Sequence, residues 1–307
     1  MIVYKELSSL TTDLGFSART LYSVARMVRK HYHEVSIPKK DGTERKLSVP
    51  DELLKRIQRR IAEKILMYED ISPYATAYRV CASTLINAKA HLDKKCILKL
   101  DINHFFDSII FPVVKNKVFT EEKYSYANRI LLTALCIYED SVPQGAPTSP
   151  VISNIILREF DFHIGSWCSE RGITYTRYCD DMTFSGEFEA KEVIKEVEDA
   201  LAKEGFYLNR KKTAFLKDGQ RKEVTGIVVN DKVSVPKEYR RKIRSEVHYI
   251  KKFGIDSHLS HIGCNMDKVK YLMSLFGKIN YALSVSPDNA EMKNCKKIIG
   301  KILYKLK

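Results

Sequence analysis

The chain has 307 residues, of which 44% are hydrophobic and 29% are charged, and it carries a net charge of +14 at pH 7. This composition can fill a sizeable core in two or three compact units, which excludes an intrinsically disordered protein. No stretch approaches the roughly 20 consecutive apolar residues that span a bilayer, and the first ten residues lack the order of a signal peptide. We therefore expect a cytoplasmic protein with no membrane partner.

The seven cysteines are an odd number, are scattered along the chain and include no Cys-x-x-Cys string. This pattern indicates neither a disulfide framework nor a structural zinc site. The cysteines are therefore expected to be reduced thiols.

The positive charge is concentrated near the C-terminus. From Arg221 to the end there are 19 Lys and Arg residues against 8 Asp and Glu residues. This composition favours a surface that binds a polyanion. A charged face that only keeps the protein in solution would produce the same composition, so the charge alone does not decide between them.

The first part of the chain predicts helices around a basic hairpin. Residues 17–30 follow helical spacing, with Ser17 as the N-cap. Residues 37–50 place a Lys-Asp-Gly turn between two short extended runs, which is typical of a hairpin. A further helix with an apolar face is expected after Asp51. The hairpin carries the basic residues Lys39, Lys40, Arg45 and Lys46.

Two later segments are predicted to present carboxylates from β-structure. In residues 96–103 apolar and polar residues alternate, so a strand there would bury one face and present Asp101 on the other. Residues 173–185 contain two short β-rich runs, and a hairpin would place Asp180 and Asp181 at or beside its tip.

The rest of the chain predicts a helix, a hairpin and a basic helical unit. Residues 188–204 have the pattern of an amphipathic helix closed by Gly205. Residues 224–236 have the pattern of a hairpin with Asn230 and Asp231 in its turn. Helical spacing of apolar residues follows from about residue 237. These residues are Ile243, Val247, Ile250, Leu272, Leu275, Phe276, Ile279 and Leu283.

Carboxylates on adjacent strands could form a two-metal site for phosphoryl transfer. Magnesium requires hard oxygen ligands, and the two ions lie roughly 3.5–4 Å apart so that they hold the attacking and leaving oxygens. Asp101 and Asp180 would bridge two Mg²⁺ ions, and Asp181 would complete the cluster. An Asp-Asp pair is also common in an ordinary tight turn, so this hypothesis depends on the neighbouring motifs.

Three strings, in order along the chain, resemble motifs of bacterial retron reverse transcriptases. YCDD at residues 178–181 is similar to the family's Tyr-x-Asp-Asp box. LKLDINHFF resembles the strand with its first catalytic aspartate, and PQGAPTSP resembles its Pro-Gln-Gly box. The resemblance implies an α+β right-hand polymerase fold with an antiparallel palm sheet. It places the fingers in residues 1–97, the palm in 98–236 and a basic helical thumb in 237–307.

Two shorter strings resemble elements that distinguish retron enzymes from other bacterial reverse transcriptases. NAKAH at residues 87–91 fits an Asn-Ala-x-x-His element, and VTG at residues 224–226 fits a Val-Thr-Gly element. In the family these elements are associated with recognition of the enzyme's own structured RNA. Alternatively, the polar residues cap or pack a helix and the glycine permits an unusual turn. The implied RNA-binding residues are Asn87, His91, Val224, Thr225 and Gly226.

The resemblance also implies how deoxynucleotide (dNTP) substrates are bound. Lys39 and Arg45 resemble the fingers residues that grip the triphosphate, and Lys40 could take the role of Lys39. Phe106 matches the aromatic residue that excludes a ribose 2′-OH by its bulk, although one of the two consecutive phenylalanines is expected to be ordinary core. Gln144 would contact the nucleotide from the palm.

Further residues are implied for the metal, the primer and the template. Ile102 joins the metal site, and Tyr178 lies beside the primer. Either Lys211 or Lys212 corresponds to the basic residue after the catalytic hairpin, and Lys212 is included in the site. The thumb would contact the heteroduplex with basic helices suited to two phosphate backbones. Its assigned residues are Arg240, Arg241 and Arg244.

The function implied by the resemblance is reverse transcription of a cognate structured non-coding RNA. Priming would start from a guanosine 2′-OH and give branched RNA-linked single-stranded DNA (msDNA), in an antiphage defence system with a separate effector protein. One alternative is a group II intron-like or other bacterial reverse transcriptase. Another is an RNA-binding scaffold with a vestigial polymerase site, held in a toxin-like complex.

Overall fold

The computed structural model of the chain describes residues 3–38, 42 and 44–306. The chain forms two compact units. The first unit contains Met1–Ala82 and Leu98–Phe215, and the second contains Ser83–Ile97 and Leu216–Lys307. Each unit is therefore assembled from two separate stretches of sequence, and each has its own hydrophobic core.

Both units combine helices with short strands. The helices in chain order are α1 (Leu7–Leu14), α2 (Ala18–Arg26), α3 (Glu52–Lys64), α4 (Thr84–Lys89), α5 (Phe111–Lys117), α6 (Tyr126–Cys136), α7 (Ser149–Ile156), α8 (Arg158–Glu170), α9 (Ala190–Lys203), α10 (Lys237–Phe253), α11 (Ile255–His261), α12 (Lys268–Val285) and α13 (Ala290–Lys305). The strands are β1 (Tyr32–Pro38), β2 (Glu44–Pro50), β3 (Cys96–Asp101), β4 (Thr174–Tyr178), β5 (Asp181–Gly186), β6 (Ala214–Leu216), β7 (Glu223–Val224) and β8 (Ile227–Val228).

The N-cap predicted at Ser17 is formed, and the helix expected after Asp51 begins with an N-cap as well. The Ser17 side chain accepts a hydrogen bond from the Thr20 amide, and the Asp51 side chain accepts one from the Leu54 amide. These bonds satisfy amides that the first turn of a helix leaves without a partner. α2 ends at Arg26, four residues before the predicted end, because the chain tightens into a 3-10 turn before it extends into β1.

The predicted basic hairpin is confirmed and begins earlier than expected. β1 and β2 pair antiparallel, from Tyr32 opposite Pro50 to Pro38 opposite Glu44. The predicted site residue Lys39 and its alternative Lys40 lie outside the described residues.

A four-stranded sheet with the order β4-β5-β3-β6 positions the predicted carboxylates. β4 and β5 form the predicted antiparallel hairpin, and its last pair is Tyr178 opposite Asp181. β5 and β3 are neighbours in the sheet. The end of β3 at Asp101 and the tip of the hairpin therefore lie on adjacent strands.

β3 does not show the predicted alternation of a buried and an open face. Every residue of the strand except Lys99 is buried, and Asp101 is only 5% exposed. The strand lies between β5 and β6 in the sheet, and residues on both of its faces are buried. Interior strands of this kind do not show a clear polar face.

The second unit contains the predicted helical segment, α10 to α13, together with α4 and the β7–β8 hairpin. The predicted apolar residues of these helices are buried, apart from Phe276 and Leu283, which are partly buried. No helix in the part of the chain that the structure describes is long and apolar enough to cross a membrane.

The hairpin predicted over residues 224–236 has a different turn. β7 and β8 reverse at Thr225 and Gly226, whose φ angles are 46° and 80°. A separate antiparallel bridge joins Val228 to Ser234 around the predicted turn. Two consecutive positive φ angles are typical of a type I′ turn, but threonine is rarely found there, so the sequence pattern did not reveal it.

Candidate active site

One cavity of about 750 Å³ in the first unit collects half of the predicted site residues. Its walls come from the end of β3, the β4–β5 turn, the start of β2, and the segment that precedes α7. Segments far apart in sequence therefore meet in one place. The predicted residues that line it are Arg45, Asp101, Ile102, Phe106, Gln144, Tyr178, Asp180, Asp181 and Lys212.

The β4–β5 turn is tied to the end of β3 by a backbone hydrogen bond. The Ile102 amide donates to the Asp180 carbonyl oxygen at 3.1 Å. Cys179, at the tip, has a φ of 65°, a left-handed conformation that a non-glycine residue rarely adopts. Asp180 and Asp181 directly follow this residue. The turn is therefore held in an unusual conformation beside Asp101.

Three residues with left-handed backbones line this cavity. Besides Cys179, they are Tyr78 with a φ of 59° and His104 with a φ of 46°. The Tyr78 hydroxyl donates to the Cys179 Sγ at 3.4 Å. Strained backbone of this kind is concentrated at functional sites in proteins. Tyr78 lies in none of the quoted motifs, and His104 lies within LKLDINHFF, but no sequence pattern singled out either residue.

The carboxylates and one lysine form an electrostatic cluster. The Asp181 side chain is open to the cavity, but partial desolvation and the negative charges of Asp180 and Asp101 raise its pKa to about 6. The Lys212 Nζ donates to the Asp101 Oδ2 at 2.7 Å. Desolvation lowers the pKa of Lys212, but the hydrogen bond to Asp101 and the three carboxylate charges outweigh it, so the net pKa is raised.

The donor set suits a hard divalent cation. Three carboxylates supply oxygen ligands, and Ile102 could supply only its backbone oxygen because its side chain has none. A bound cation would reduce the repulsion that raises the pKa of Asp181. Among the described residues no three Asp, Glu, His or Cys side chains are already arranged as a metal site. The ion pair between Lys212 and Asp101 would compete with a cation for the same carboxylate.

The two consecutive phenylalanines have different environments. Phe105 is 4% exposed and packs in the core, and its ring centroid lies 5.9 Å from that of Phe206. Phe106 is half-buried, and its ring lies next to that of Phe105. Phe106 is therefore the ring with more surface available to a ligand in the cavity.

Gln144 is held close to the basic hairpin by its backbone. The Ser48 amide of β2 donates to the Gln144 carbonyl oxygen at 2.9 Å. The next residue, Gly145, has a φ of 129°, and a Cβ atom there would lie 2.7 Å from the Ser48 carbonyl oxygen. Only glycine fits this close approach without a shift of the backbone. Arg45 lies three residues before Ser48 on the same strand and is exposed.

The two lysines that the sequence could not separate differ in position. Lys212 lines the cavity and contacts Asp101. Lys211 is exposed and is absent from the residues that line the cavity.

The residues of the two shorter strings meet in the second unit. The Asn87 Nδ2 donates to the Thr225 Oγ1 at 3.5 Å, and the Thr225 hydroxyl donates to the Thr84 carbonyl oxygen at 3.0 Å. These bonds support the left-handed Thr225 in its turn. Asn87 and Val224 are buried, whereas Gly226 is exposed at the tip.

His91 is also fully buried, and desolvation together with the charge of Lys94 lowers its pKa to about 3. His91 is therefore neutral at pH 7. In this conformation the side chains of Asn87 and His91 can shape a binding surface but cannot contact a ligand directly.

The three predicted arginines of α10 also lie in the second unit. Arg240 is half-buried, whereas Arg241 and Arg244 are exposed. The Arg244 Nη1 donates to the Glu291 Oε1 of α13 at 2.8 Å. Of the three, Arg241 is exposed and lines a cavity of about 720 Å³ beside Lys242 and Tyr249.

Comparison with known proteins gives a family match that includes the residues lining the cavity. The family described as reverse transcriptase (RNA-dependent DNA polymerase) matches residues 37–272. The retron Ec86 reverse transcriptase of Escherichia coli is 30% identical over 269 residues, which cover 85% of this chain and 82% of that protein. The retron Ec83 reverse transcriptase of Escherichia coli is 31% identical over 274 residues, which cover 84% of each.

A protein of another bacterium is similar as well. The retron Mx65 reverse transcriptase of Myxococcus xanthus is 30% identical over 314 residues, which cover 94% of this chain and 70% of that protein. Among solved structures, a telomerase from Candida albicans matches with a TM-score of 0.49 and 12% identity, over 89% of this chain and 63% of that one.

Proposed function

The chain belongs to the retron branch of the reverse transcriptase family. From this premise we propose that it copies its own structured non-coding RNA into branched, RNA-linked single-stranded DNA. The enzyme is an RNA-directed DNA polymerase of a family that uses divalent metal ions and dNTPs. The observation that supports this proposal most is the cavity where Asp101, Asp180 and Asp181 lie with Arg45, Phe106 and Gln144.

We assign catalysis to Asp101, Asp180 and Asp181, which would hold two Mg²⁺ ions with the backbone oxygen of Ile102. When bound, the ions lower the pKa of the priming hydroxyl and stabilise the pyrophosphate that leaves. The protein supplies no nucleophile in this scheme. The turn after Tyr178 and the end of β3 hold the carboxylates on adjacent strands, which is the positioning that phosphoryl transfer requires.

Three described residues are proposed to select the nucleotide. Arg45, exposed on β2, would donate its planar set of N–H groups to the triphosphate, with Lys39 nearby in sequence. Phe106 would exclude a ribose 2′-OH by its bulk. Gln144 would contact the nucleotide from a segment that Gly145 and Ser48 keep beside β2.

Primer, template and RNA recognition are assigned to both units. In the first unit Tyr178 and Lys212 would lie beside the primer end. In the second unit the tip formed by the half-buried Thr225 and the exposed Gly226 would contact the structured RNA. The buried Asn87, His91 and Val224 would support that tip. The thumb arginines would bind phosphates, which explains the concentration of positive charge after residue 221. They are Arg240, Arg241 and Arg244.

Family membership confirms the predicted α+β right-hand polymerase fold. Within it we propose fingers in residues 1–97 with part of the palm interleaved, a palm in 98–236 and a basic helical thumb in 237–307. The helical composition of the second unit after residue 236 supports the thumb assignment.

The cellular part of the proposal follows from the retron branch. Priming would start from a guanosine 2′-OH of the non-coding RNA, and the msDNA product would act with a separate effector protein in antiphage defence. The reaction would take place in the cytoplasm, where thiols stay reduced, in agreement with the seven free cysteines.

Expression of the gene with its flanking DNA, followed by extraction of total nucleic acid, tests this proposal. We expect a small discrete DNA whose migration shifts after treatment with RNase and with debranching enzyme, and which is missing for Asp180→Ala. If no such DNA forms although the purified protein extends a primer on an RNA template, the retron function is overturned and another bacterial reverse transcriptase remains. If the protein neither makes the DNA nor extends a primer, the vestigial scaffold replaces both.

A further inference from the structure

A buried ion pair lies beneath the turn that carries Asp180 and Asp181. Arg177 on β4 and Asp161 on α8 both have fully buried side chains. The Arg177 Nε donates to the Asp161 Oδ1 at 2.8 Å, and the Arg177 Nη2 donates to the Asp161 Oδ2 at 2.6 Å. This two-point contact fixes the plane of the guanidinium group.

The remaining nitrogen of the guanidinium points to the tip of the turn. The Arg177 Nη1 donates to the Cys179 carbonyl oxygen at 2.9 Å and to the Asn154 Oδ1 of α7 at 3.3 Å. Cys179 is the residue with the left-handed backbone. Arg177 therefore bonds the peptide group that joins the strained residue to Asp180.

The backbone of Arg177 is fixed as well. Its amide donates to the Tyr74 carbonyl oxygen, and its own carbonyl oxygen accepts from the Thr76 amide, both at 2.8 Å. The Tyr175 hydroxyl donates to the Asp161 Oδ1 at 2.8 Å, so Asp161 is held from a second side. The guanidinium is thus positioned independently of any ligand in the cavity.

Stability alone does not explain this arrangement. A buried ion pair often contributes little net stability, because desolvation of the two charges offsets their attraction. A left-handed non-glycine residue is intrinsically unfavourable and persists only where its surroundings determine it. The bond from Arg177 to the Cys179 carbonyl oxygen is a directional interaction at that residue.

We propose that Arg177 and Asp161 are positioning residues, which hold Cys179 in its left-handed conformation and thereby place Asp180 and Asp181 for the reaction. The inference rests on the proposed function of these two carboxylates. Neither Arg177 nor Asp161 lines the cavity, so both act through the turn and not on the substrate.

The first test compares Arg177→Lys with Tyr175→Phe in the full chain. Lysine keeps the buried charge, but its one nitrogen cannot occupy the three positions of Nε, Nη1 and Nη2, from which Arg177 reaches both Asp161 oxygens and the Cys179 carbonyl oxygen. Tyr175→Phe removes a buried hydrogen bond to the same Asp161 and leaves the bond to Cys179 in place. We expect Arg177→Lys to lower kcat on the order of 10²-fold, the loss typical of a reacting group displaced by about 1 Å. The KM for dNTP should change little, and Tyr175→Phe, which leaves every hydrogen bond of Arg177 in place, should lower kcat much less than Arg177→Lys.

A double substitution keeps the test decisive if Arg177→Lys does not fold. Arg177→Met with Asp161→Leu leaves no unpaired buried charge, so the fold should be retained. This variant still lacks the donor to Cys179 and should show the same loss of kcat. Adding Cys179→Gly to Arg177→Lys should recover part of kcat, because glycine adopts the left-handed conformation without the support of Arg177.

Amide hydrogen exchange gives a readout that does not depend on activity. The Ile102 amide, which donates to the Asp180 carbonyl oxygen, should lose protection in Arg177→Lys but not in Tyr175→Phe. Inactive wild-type protein would refute the proposed function, while this exchange difference would still support the positioning role. The positioning role would be overturned if both variants lost kcat and amide protection equally, or if Arg177→Lys lost neither.

Discussion

At the scale of single residues, the structure distinguishes between neighbouring residues that the sequence alone could not tell apart as functional candidates. Phe105 and Phe106 both border the cavity, but Phe105 is almost fully buried in the core and Phe106 is only half-buried. Lys211 and Lys212 are consecutive as well, and only the second contacts Asp101. In each pair the two side chains have different surroundings, which the order of the residues alone does not reveal.

We predict that Phe106→Ala relaxes the choice of sugar. Without the ring, a ribose 2′-OH meets less steric resistance, so the preference for dNTP over rNTP should fall on the order of 10–10²-fold. Single-turnover incorporation of matched dNTP and rNTP measures this ratio. Phe105→Leu is the control, which should lower stability and leave the ratio unchanged. An unaltered ratio in Phe106→Ala would show that another group excludes the 2′-OH.

Lys212→Met should lower kcat on the order of tenfold or more, because it removes the positive charge that we place beside the primer end, next to the three carboxylates. Lys211→Met is a matched control on the next residue, and kcat should stay within about twofold of the wild-type value. Steady-state primer extension at saturating dNTP compares the two variants. Equal effects of both substitutions would mean that only the general charge of this segment matters.

At the scale of structural elements, the β1–β2 hairpin is joined to the segment before α7 by the bond from the Ser48 amide to the Gln144 carbonyl oxygen. This junction brings Arg45 and Gln144 to one cavity. The close approach depends on Gly145, where a side chain would overlap with the backbone of β2.

Gly145→Ala should therefore reduce the free energy of unfolding by about 3 kcal/mol, from the unfavourable backbone angle and from overlap with the Ser48 carbonyl oxygen. Gly172→Ala is the control: this residue also has a positive φ of 65°, but it has open space around it. Gly172→Ala should reduce the free energy of unfolding by about 1 kcal/mol. Urea denaturation measures both values. Similar losses would argue against a tight junction at Gly145.

Two arginines on α10 provide a test of RNA binding by the second unit. Arg241 is exposed, whereas Arg244 donates to Glu291. If Arg241 binds a phosphate, Arg241→Ala should reduce the slope of log affinity against log salt by about 1. Arg244→Ala should reduce it less, because that charge is already partly neutralised. Filter binding of the cognate RNA over a salt series gives the slopes, and a larger effect at Arg244 would reverse this assignment.

Local patterns predicted many of the elements, but not the contacts between them. The cap at Ser17 and the hairpin with Asp180 and Asp181 at or beside its tip depend on neighbouring residues and were predicted correctly. The bond from Lys212 to Asp101 spans 111 positions, and no local pattern encodes it. The burial of β3 on both faces and the strained turn at Thr225 also depend on tertiary packing.

At the scale of the whole molecule, the chain consists of two compact units with separate cores. The first unit carries the complete candidate cavity, and the second carries the basic helices and the two retron-like strings. This division agrees with a catalytic part and an RNA-binding part. Because the cavity belongs entirely to the first unit, substitutions there should lower the rate of nucleotide incorporation more than they lower the affinity for RNA.

The most direct test of the central claim is RNA-templated incorporation of dNTP by the purified protein, with Asp180→Asn compared with the wild type. Asparagine preserves the shape of the side chain and removes its negative charge. Metal stabilisation is worth several kcal/mol, so incorporation should fall about 10²–10³-fold. Glu192→Gln, an exposed carboxylate on α9, should leave it unchanged. Undiminished incorporation by Asp180→Asn would contradict the assignment of catalysis to the carboxylates of this cavity.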